Sequence, residues 1–562
     1  MTPSEAATRL EPDTLPATGP AGSARRAALA RLPPEPMPQS WVEYASRGAL
    51  LIIGAADAAW PAAARLRDEL DCWVLATERP AEPPEAAPPA PTAWGAPADC
   101  AGHLGAFALG ITSENGALLT VGEAFGRERD DFDLILDLQA TPVIGHEIPP
   151  PGYYRGHDPG TRQRALAELP QMVGTFQKPK YFAYDLNICA HGARGLAGCR
   201  NCLDACATGA AISIGEEIEV DPYLCQGCGS CATSCPTGAI GYALPTAAEL
   251  VDTLRRLIAD YRAAAPEAPA PWLVFHGPED GLAVLQAQAA GLPEHCLPVP
   301  IEDVGAVGPD AWLSALAFGA AGATMLTGAQ PAARLAATTR EQIAIATAVL
   351  EGLGDAHAMQ RLQLATGALE APDELPSLIA KPATFGGLGS KREILQRALA
   401  HLWQQAGQPA AAELPKGAPF GTIVVDREAC TLCMACVSVC PASAVTGGGE
   451  EAKLLFREDR CVQCGLCATA CPEDAIALQP RIDFAAHAEP ATRVLNEEEL
   501  LHCLDCGEAF ATRKIVERMA EKLAGHWMFQ DPAARERLYT CEECRVKRVL
   551  NDENAMAQQR ER

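Results

Sequence analysis

Four cysteine runs in this chain have a composition and spacing that suit metal chemistry. Each run ends in Cys-x-x-Cys-x-x-x-Cys, and the runs form two close pairs. The sixteen residues are Cys189, Cys199, Cys202, Cys206, Cys225, Cys228, Cys231, Cys235, Cys430, Cys433, Cys436, Cys440, Cys461, Cys464, Cys467 and Cys471. Thiolates are soft ligands, and this spacing is typical of chains that bind [4Fe–4S] clusters. The cysteines therefore predict chemistry in which electrons move one at a time.

The spacing also predicts which cysteines share a cluster. In two-cluster chains of this type, three close cysteines hold one cluster and the fourth ligates its neighbour. We therefore group the sixteen cysteines into four sites, each made of three close cysteines from one run and the fourth cysteine of the paired run. They are site A (Cys206, Cys225, Cys228, Cys231), site B (Cys189, Cys199, Cys202, Cys235), site C (Cys440, Cys461, Cys464, Cys467) and site D (Cys430, Cys433, Cys436, Cys471). Proline follows the fourth cysteine in three of the runs, where it helps to turn the chain.

The first run departs from this pattern. Nine residues separate Cys189 from Cys199, and Ala207 stands where the other runs have proline. We expect the inserted residues to form a flexible surface loop, with Cys189 still a ligand of site B. Two alternatives remain open: Cys189 lies away from the cluster, or His191 is close enough to tune its potential.

Two further Cys-x-x-Cys pairs near the end of the chain predict a separate metal site. They are Cys503, Cys506, Cys541 and Cys544, called the tetracysteine site below. Two such pairs suit tetrahedral zinc, which we favour, but a fifth iron–sulfur cluster needs the same four thiolates. His502 and His526 lie nearby in the sequence and are expected to be exposed to solvent.

Composition bounds the class of protein. With 562 residues, 48% of them hydrophobic, the chain is long enough for several domains. A formal net charge of −26 argues against a nucleic-acid partner, because phosphate binding relies on Lys and Arg. The charge reflects either ordinary solvated carboxylates or an acidic surface that steers a basic redox partner.

Cysteine usage and hydropathy predict a soluble, cytoplasmic protein. A chain of this size can bury a core, and it shows no secretory signal, so we expect few or no disulfides. The longest apolar stretch, residues 311–326, is shorter than the roughly 20 residues of a membrane span, and no direct span is expected. We interpret the isolated Cys72, Cys100 and Cys296 as small buried hydrophobic residues.

Outside the cysteine blocks, hydrophobic periodicity predicts strands that alternate with helices. Strands are predicted at 48–55, 72–77, 103–110, 117–121, 133–138, 272–276, 296–301, 323–327 and 360–366. Helices are predicted at 56–70, 247–261, 281–291, 312–320 and 332–353. This alternation argues for parallel, doubly wound sheets. The Pro-rich stretch 80–97 is interpreted as a loop or linker, and Gly-rich residues 386–391, which lack the Gly-Lys-Ser/Thr ending of a phosphate loop, as a linker.

Each cysteine block is an internal duplication. Cys206-Ala-Thr-Gly-Ala mirrors Cys235-Pro-Thr-Gly-Ala, and Cys440-Pro-Ala-Ser-Ala mirrors Cys471-Pro-Glu-Asp-Ala. The chain thus resembles two bacterial-type dicluster ferredoxin modules. Its whole layout is similar to the large ferredoxin-type proteins associated with bacterial formate dehydrogenases. This resemblance implies redox protein partners, among them a formate dehydrogenase or a related dehydrogenase.

The middle of the chain, residues 272–369, resembles the delta-type iron–sulfur subunit of hydrogenases and the C-terminal region of heterodisulfide reductase A. The resemblance rests on Leu297-Pro-Val-Pro and on residues 304–310 and 316–328. In that family cysteines follow the last of these segments, where this chain has Ala329-Gln-Pro. The resemblance implies a docking or scaffolding domain without the [2Fe–2S] cluster of the family.

Together these patterns predict an α/β plus α+β fold class: two ferredoxin-like dicluster modules joined to doubly wound α/β domains, with a helical C-terminal segment that carries the tetracysteine site. The predicted divisions are a disordered tail (1–47), a small α/β domain with a Pro-rich linker (48–170), dicluster module 1 (171–245), an α/β domain (246–400), dicluster module 2 (418–480) and a helical segment with the tetracysteine site (481–562).

The function that these features favour is electron transfer through four [4Fe–4S] clusters, between a dehydrogenase-type donor and an acceptor. No flavin or nicotinamide fingerprint and no Ser/His/Asp arrangement is present in the sequence, so no catalytic residue is predicted. Two alternatives are an oxidoreductase subunit with its own flavin or substrate site, similar to heterodisulfide reductase, and a cluster-based assembly or sensor protein.

Overall fold

The computed structural model describes residues 9–34, 36–80, 87–370, 372 and 374–551. These residues form a mixed arrangement of helices and sheets in which the cysteine blocks alternate with α/β units. No helix in the described ranges combines the length and the apolar character needed to cross a bilayer.

The first α/β unit is built on an eight-stranded sheet. Its strands are Ala49–Gly54, Asp71–Ala76, Thr92–His103, Ala106–Ser113, Leu118–Thr120, Asp131–Phe132, Leu134–Asp137 and Tyr153–Arg155. Its helices are Ala56–Leu66, Val121–Phe125 and Pro159–Glu168. Ala49–Gly54 is buried along its whole length and runs parallel to both of its neighbours, as its unbroken apolar sequence predicts.

The Pro-rich stretch 80–97 is only partly a loop. Residues 81–86 lie outside the described residues, and the chain enters a long strand at Thr92. Pro97 sits in this strand, where the register with Ala106–Ser113 shifts between Pro97 and Asp99. Residues 92–97 are therefore part of a strand and not of a linker. An antiparallel strand pair can accommodate a proline where the register shifts.

The prediction of a disordered tail over 1–47 is wrong for its described part. Residues 1–8 and 35 lie outside the described ranges, but Pro20–Leu29 is a helix and Trp41–Ser46 a strand paired with Gly174–Pro179. The helix packs on the middle α/β unit, and its Arg25 is fully buried, donating to the carbonyl of Pro293 at 2.8 Å. The helix is too short and alanine-rich for a clear period, so only its docking reveals it.

The middle unit has a four-stranded parallel sheet in the order Cys296–Pro300, Trp272–His276, Gly322–Thr327 and Leu362–Thr366. These strands confirm the predictions for the same segments. Its helices are Ala247–Ala264, Asp280–Gln288, Pro309–Phe318, Ala333–Gly352, Ala358–Arg361 and Lys391–Gln405. The helix Pro309–Phe318 is buried at every position, in keeping with its all-round apolar sequence.

The helix Lys391–Gln405, called the linker helix below, crosses the predicted domain boundary at residue 400. Ser390 caps it, accepting a bond from the backbone N–H of Glu393 at 3.3 Å, while residues 386–390 form the expected irregular segment. The helix packs on Pro309–Phe318 and on Phe484–Ala488. It therefore joins the middle unit to the second cysteine block rather than ending one domain.

The two cysteine blocks are assembled from short strands and one-turn helices. In the first block the strands are Phe182–Tyr184, Gly192–Ala193, Leu196–Ala197, Ala211–Ile214, Glu217–Val220 and Ile240–Tyr242, and the helices Asn201–Ala205 and Ser230–Ser234. In the second block the strands are Ala411–Glu413, Gly421–Val425, Val445–Gly448, Glu451–Phe456, Ile476–Asp483 and Arg493–Glu497, and the helices Ala435–Ser438, Leu466–Thr469 and Phe484–Ala488. The second block thus extends beyond residue 480, because Arg493–Glu497 pairs with Glu451–Phe456.

The C-terminal segment is only partly helical. It begins with the hairpin of Leu500–His502 and Ala509–Thr512 and continues with the helices Arg513–Leu523, Pro532–Glu536 and Glu542–Leu550. The prediction of a helical segment is wrong at this hairpin. Its two strands are short, and the first Cys-x-x-Cys pair occupies the turn between them. The remaining short 3₁₀ helices of the described chain are Pro12–Thr14, Leu169–Met172, Leu186–Ile188, Ala289–Gly291, Val304–Ala306, Glu458–Arg460, Trp527–Phe529 and Arg537–Tyr539.

Candidate iron–sulfur and metal centres

Sites C and D each line a small cavity in the second cysteine block. The four cysteines of site D line one cavity, together with Leu454 and Ile476. The four cysteines of site C line the other, together with Ile423 and Leu478. The structure thus brings together both sets that the exchange of the fourth cysteine predicts.

The cysteines of sites A and B also lie together. At site A, burial raises the pKa of Cys231 well above its usual value, and the other three thiols of the site raise it further. At site B, burial raises the pKa of Cys202 to about 12, again with contributions from the other three thiols of the site. Cys189 and Cys235 also pack in the same hydrophobic cluster as Cys202, so Cys189 lies with predicted partners despite the nine-residue insertion.

The insertion after Cys189 is a hairpin rather than a flexible loop. Gly192–Ala193 pairs with Leu196–Ala197. His191 is buried, with Nδ1 2.8 Å from the carbonyl oxygen of Cys199 and Nε2 2.7 Å from Ser213 Oγ. The expectation of a mobile surface loop is wrong because this imidazole ties the hairpin to the backbone of a site B cysteine.

Three of the ligand loops share one backbone path. In each, the second and fourth residues after the first cysteine have positive φ: Gly227 and Gly229, Leu432 and Met434, Gln463 and Gly465. A positive φ costs a non-glycine residue about 1–3 kcal/mol. Because residues with positive φ alternate with residues of ordinary φ, successive backbone N–H groups turn toward one concave side of the loop. At Cys461, burial raises the pKa of the thiol, and the N–H of Gln463 opposes that rise.

The fourth cysteines of three runs accept a backbone hydrogen bond a few residues further along the chain. The donors are Ala211 to Cys206 Sγ at 3.5 Å, Ala444 to Cys440 Sγ at 3.3 Å and Ala475 to Cys471 Sγ at 3.3 Å. Such bonds stabilise thiolates and shift cluster potentials. Each site combines four soft thiolates with backbone N–H groups that point at the sulfurs or with apolar side chains around them, and this combination fits a [4Fe–4S] cluster.

The two cysteine blocks meet at sites B and C. Burial raises the pKa of Cys199 to about 11, and the thiols of Cys235, Cys464 and Cys189 contribute to the rise. Cys464 belongs to the other block, so a site C thiol lies near a site B thiol. Gly198, the residue before Cys199, packs on Leu466, which lies between two site C cysteines.

The tetracysteine site has a different geometry from sites A to D. Its four Sγ atoms all lie within 4.8 Å of one another, and among the described residues no other group of three or more potential ligands is so compact. Sγ of Cys506 and Cys541 are 3.6 Å apart. Four thiolates around one zinc at about 2.3 Å are separated by about 3.8 Å in a tetrahedron, whereas a cubane spreads its thiolates over four iron atoms.

Backbone groups also stabilise a thiolate at the tetracysteine site. Burial raises the pKa of Cys503, but the N–H groups of Cys506, Cys541 and Asp505, together with the Cys506 side chain, outweigh it, so that the pKa falls to about 6. The N–H of Cys541 lies 3.3 Å from Cys503 Sγ. His502 and His526 are exposed, as predicted, and are not members of the four-cysteine group.

Two of the three isolated cysteines match their interpretation as buried residues. Cys72 and Cys296 are buried and Cys100 is half-buried. Burial raises the pKa of each to about 12, which keeps the thiols neutral.

Comparison with known families adds an independent result. The family described as 4Fe-4S dicluster domain matches residues 429–475, and the family described as 4Fe-4S binding domain matches residues 218–241. The chain contains two 4Fe–4S ferredoxin-type domains. The match to the first domain covers Cys225 to Cys235 and leaves the stretched run outside it. No curated protein matches the chain.

Sequence reasoning missed the contacts between these ferredoxin-type domains. The approach of Gly198 to Leu466 joins residues far apart in the chain, and nothing in the cysteine spacing signals it. It also missed Lys391 and Arg392, which begin the linker helix and contact both domains. The signal available was a Lys-Arg pair directly after the capping residue Ser390, a position where the helix dipole disfavours cations.

Proposed function

We propose that this protein relays single electrons through four [4Fe–4S] clusters held at sites A to D. The observation that carries the proposal is the serial arrangement of the sites. Cys231 of site A and Cys202 of site B pack in one hydrophobic cluster, and Cys467 of site C and Cys436 of site D pack in another. Between these clusters, Gly198 next to site B lies against Leu466 in the site C loop. The order is therefore A, B, C, D, which supports one continuous path rather than two separate pairs.

A bound [4Fe–4S] cluster supplies the ability to accept and release one electron. The residues of the chain provide everything else. The cysteines fix the spacing between sites, the apolar residues of each cavity limit water access, and the aimed N–H groups favour the anionic state. Together these features support rapid exchange between neighbouring sites without bond chemistry in this protein.

Site D is the end at which we expect a partner to exchange electrons. Cys433 is exposed, and the other fifteen cysteines of the four sites are buried or half-buried. The strongly acidic chain, with a net charge of −26, would favour a partner with a basic docking surface. A dehydrogenase such as a formate dehydrogenase, in the cytoplasm, is the partner that we propose.

We propose that the middle unit is a doubly wound scaffold. Its four parallel strands are flanked by helices, and the loop of Val304–Ala306 contacts site A, since Thr233 Oγ1 donates to the carbonyl of Gly305 at 2.6 Å. We also propose zinc at the tetracysteine site, because its sulfur spacing suits a single ion. Thr512 donates to the carbonyl of Thr431 at 3.0 Å, so the zinc segment would brace the site D loop.

Anaerobic purification with iron, sulfide, zinc and flavin counted per chain tests the proposal. About sixteen iron and sixteen sulfide, one zinc and no flavin are expected, together with reduction of all clusters by dithionite. About twenty iron without zinc would assign a fifth cluster to the tetracysteine site. Stoichiometric flavin would contradict the relay and favour an enzyme, and iron at or below eight would contradict the four-cluster arrangement.

A further inference from the structure

Two adjacent cations occupy the junction between the ferredoxin-type domains. Lys391 and Arg392 are the first two residues of the linker helix. Lys391 Nζ donates to the carbonyls of Ala232 and Thr233, at 2.7 Å each, in the turn between Cys231 and Cys235. Lys391 thus contacts the backbone that carries a ligand of site A and a ligand of site B.

Arg392 reaches the opposite side of the junction. Its Nη2 donates to the carbonyl of Cys461 at 2.8 Å and of Asp459 at 2.9 Å, and its Nη1 to the carbonyl of Pro236 at 3.4 Å. Pro236 follows a site B cysteine, and Cys461 is a site C cysteine. One guanidinium therefore binds the ligand-bearing backbone of both inner sites.

Neither cation is in direct ion-pair contact with a carboxylate of the described residues. The nearby Asp459 carboxylate is paired with Arg457 at 2.7 Å. Asp310 lies near Lys391, where burial raises the pKa of its carboxyl and the charge of Lys391 opposes that rise. His487 is buried and its pKa falls to about 3, so it adds no charge at neutral pH.

The guanidinium of Arg392 is charged at neutral pH, as arginine side chains are in proteins generally. Arg392 is half-buried, and a half-buried charge without an ion-pair partner needs other polar groups around it. The backbone carbonyls supply part of that compensation. Nearby negative charge comes from the Asp459 carboxylate and from the thiolate sites on either side.

We propose that Lys391 and Arg392 form a cationic clamp that tunes the inner pair of sites and fixes their separation. This inference rests on the proposed relay. A fixed positive charge favours the state with one more electron, so the clamp raises the reduction potentials of sites B and C. It also reduces the repulsion between two adjacent reduced sites, which allows electrons to pass through the junction.

The test is a potentiometric titration of the anaerobic, cluster-loaded full chain, followed by electron paramagnetic resonance, for the native protein and the variants R392Q, R392K and K391M. We expect R392Q and K391M to shift part of the cluster signal to more negative potential. R392K, which keeps the charge, is expected to titrate close to the native protein. R397Q is the matched control: Arg397 lies on the same helix and contacts the carbonyl of Glu393, and its substitution removes the same charge.

The outcomes separate this inference from the proposed function. Full iron content with unchanged titrations in both R392Q and K391M would overturn the clamp and leave the relay standing. If R392Q loses iron, the titration of K391M decides: an unchanged titration at full iron content overturns the clamp, and a shift to more negative potential supports it. A shift in reduction potential in R397Q as large as that in R392Q would also overturn the clamp. The potential would then depend on the total charge of the helix and not on the contacts of Arg392. A native protein without the expected iron would instead refute the relay itself.

Discussion

Gly198 lies against Leu466 where the two ferredoxin-type domains meet. A Cβ atom on residue 198 would come within 2.9 Å of Leu466 Cγ and 2.5 Å of the carbonyl oxygen of Ala190. Real Cβ atoms do not approach backbone oxygens so closely. A glycine at this point therefore lets the chain pass close to the backbone of Ala190 and, at the same place, lets Leu466 of the second domain pack against it.

The substitution Gly198→Ala should push the inner sites apart. The backbone oxygen of Ala190 cannot move independently, so we expect a destabilisation of about 1–3 kcal/mol, as for other overpacked positions, and weaker magnetic interaction between reduced sites B and C. Thermal unfolding and paramagnetic resonance of the reduced protein measure both effects. Gly241→Ala is the control, since a Cβ there meets nothing within 4 Å. Equal behaviour of the two variants would contradict the assigned role of Gly198.

Cys189→Ala tests whether the stretched run supplies a ligand. We expect iron to fall from about sixteen to about twelve per chain, or site B to appear as a three-iron centre, because its fourth thiolate is lost. Iron analysis and paramagnetic resonance of the oxidised protein distinguish the two forms. Cys72→Ala is the control, because Cys72 is buried in the first α/β unit away from the four sites. Unchanged iron in Cys189→Ala would show that this residue is not a ligand.

Removal of the metal from the tetracysteine site should loosen the C-terminal segment and spare the four clusters. The hairpin and terminal helices bury little apolar surface around Cys503, Cys541 and Cys544. The proposed zinc would therefore supply much of their stability, as in zinc-finger peptides, where binding contributes about 10–16 kcal/mol. We expect Cys541→Ser to lose zinc and to become sensitive to proteolysis after residue 500. Retained zinc, or loss of sixteen iron atoms together with it, would contradict this assignment.

Glu294 should make the docking of the N-terminal helix dependent on pH. Its carboxylate accepts bonds from Thr18 Oγ1 and Thr18 N–H, at 2.7 and 2.5 Å, and from the N–H groups of Gly19 and Gly22. The Thr18 hydroxyl and backbone, followed by these amides, lower the pKa of Glu294 from 4.5 to about 2. A lowered carboxyl pKa stabilises the folded state fully above about pH 4.5, and this contribution is lost as pH falls toward 2.

Glu294→Gln is therefore expected to increase hydrogen exchange in Pro20–Leu29 at pH 7, and the difference from the native protein should shrink between pH 4.5 and 2. Pulsed exchange read by mass spectrometry measures it. Glu279→Gln serves as a control on the same unit, because Glu279 makes no side-chain cap at the helix that it precedes. A difference that does not change with pH would show that the carboxylate charge is not the cause.

Short-range features of the sequence predicted much of this protein. Cysteine spacing predicted which cysteines lie together as sites A to D, because the ligands of such clusters lie on tight loops whose geometry depends on a few neighbouring residues. The buried strands Ala49–Gly54 and Trp272–His276 were predicted for a similar reason, since unbroken apolar runs favour strands buried on both faces. The composition of the tetracysteine site was also predictable, although the choice of metal was not.

Tertiary structure decided what depends on residues distant in the chain. The helix Pro20–Leu29 forms against the middle unit, Gly198 meets Leu466, and Lys391 and Arg392 bind carbonyls from both ferredoxin-type domains. The sulfur distances that favour zinc likewise depend on how a hairpin and a helix pack. Local patterns carry no information on such contacts, because each arises from the packing of segments whose separate sequences place no constraint on one another.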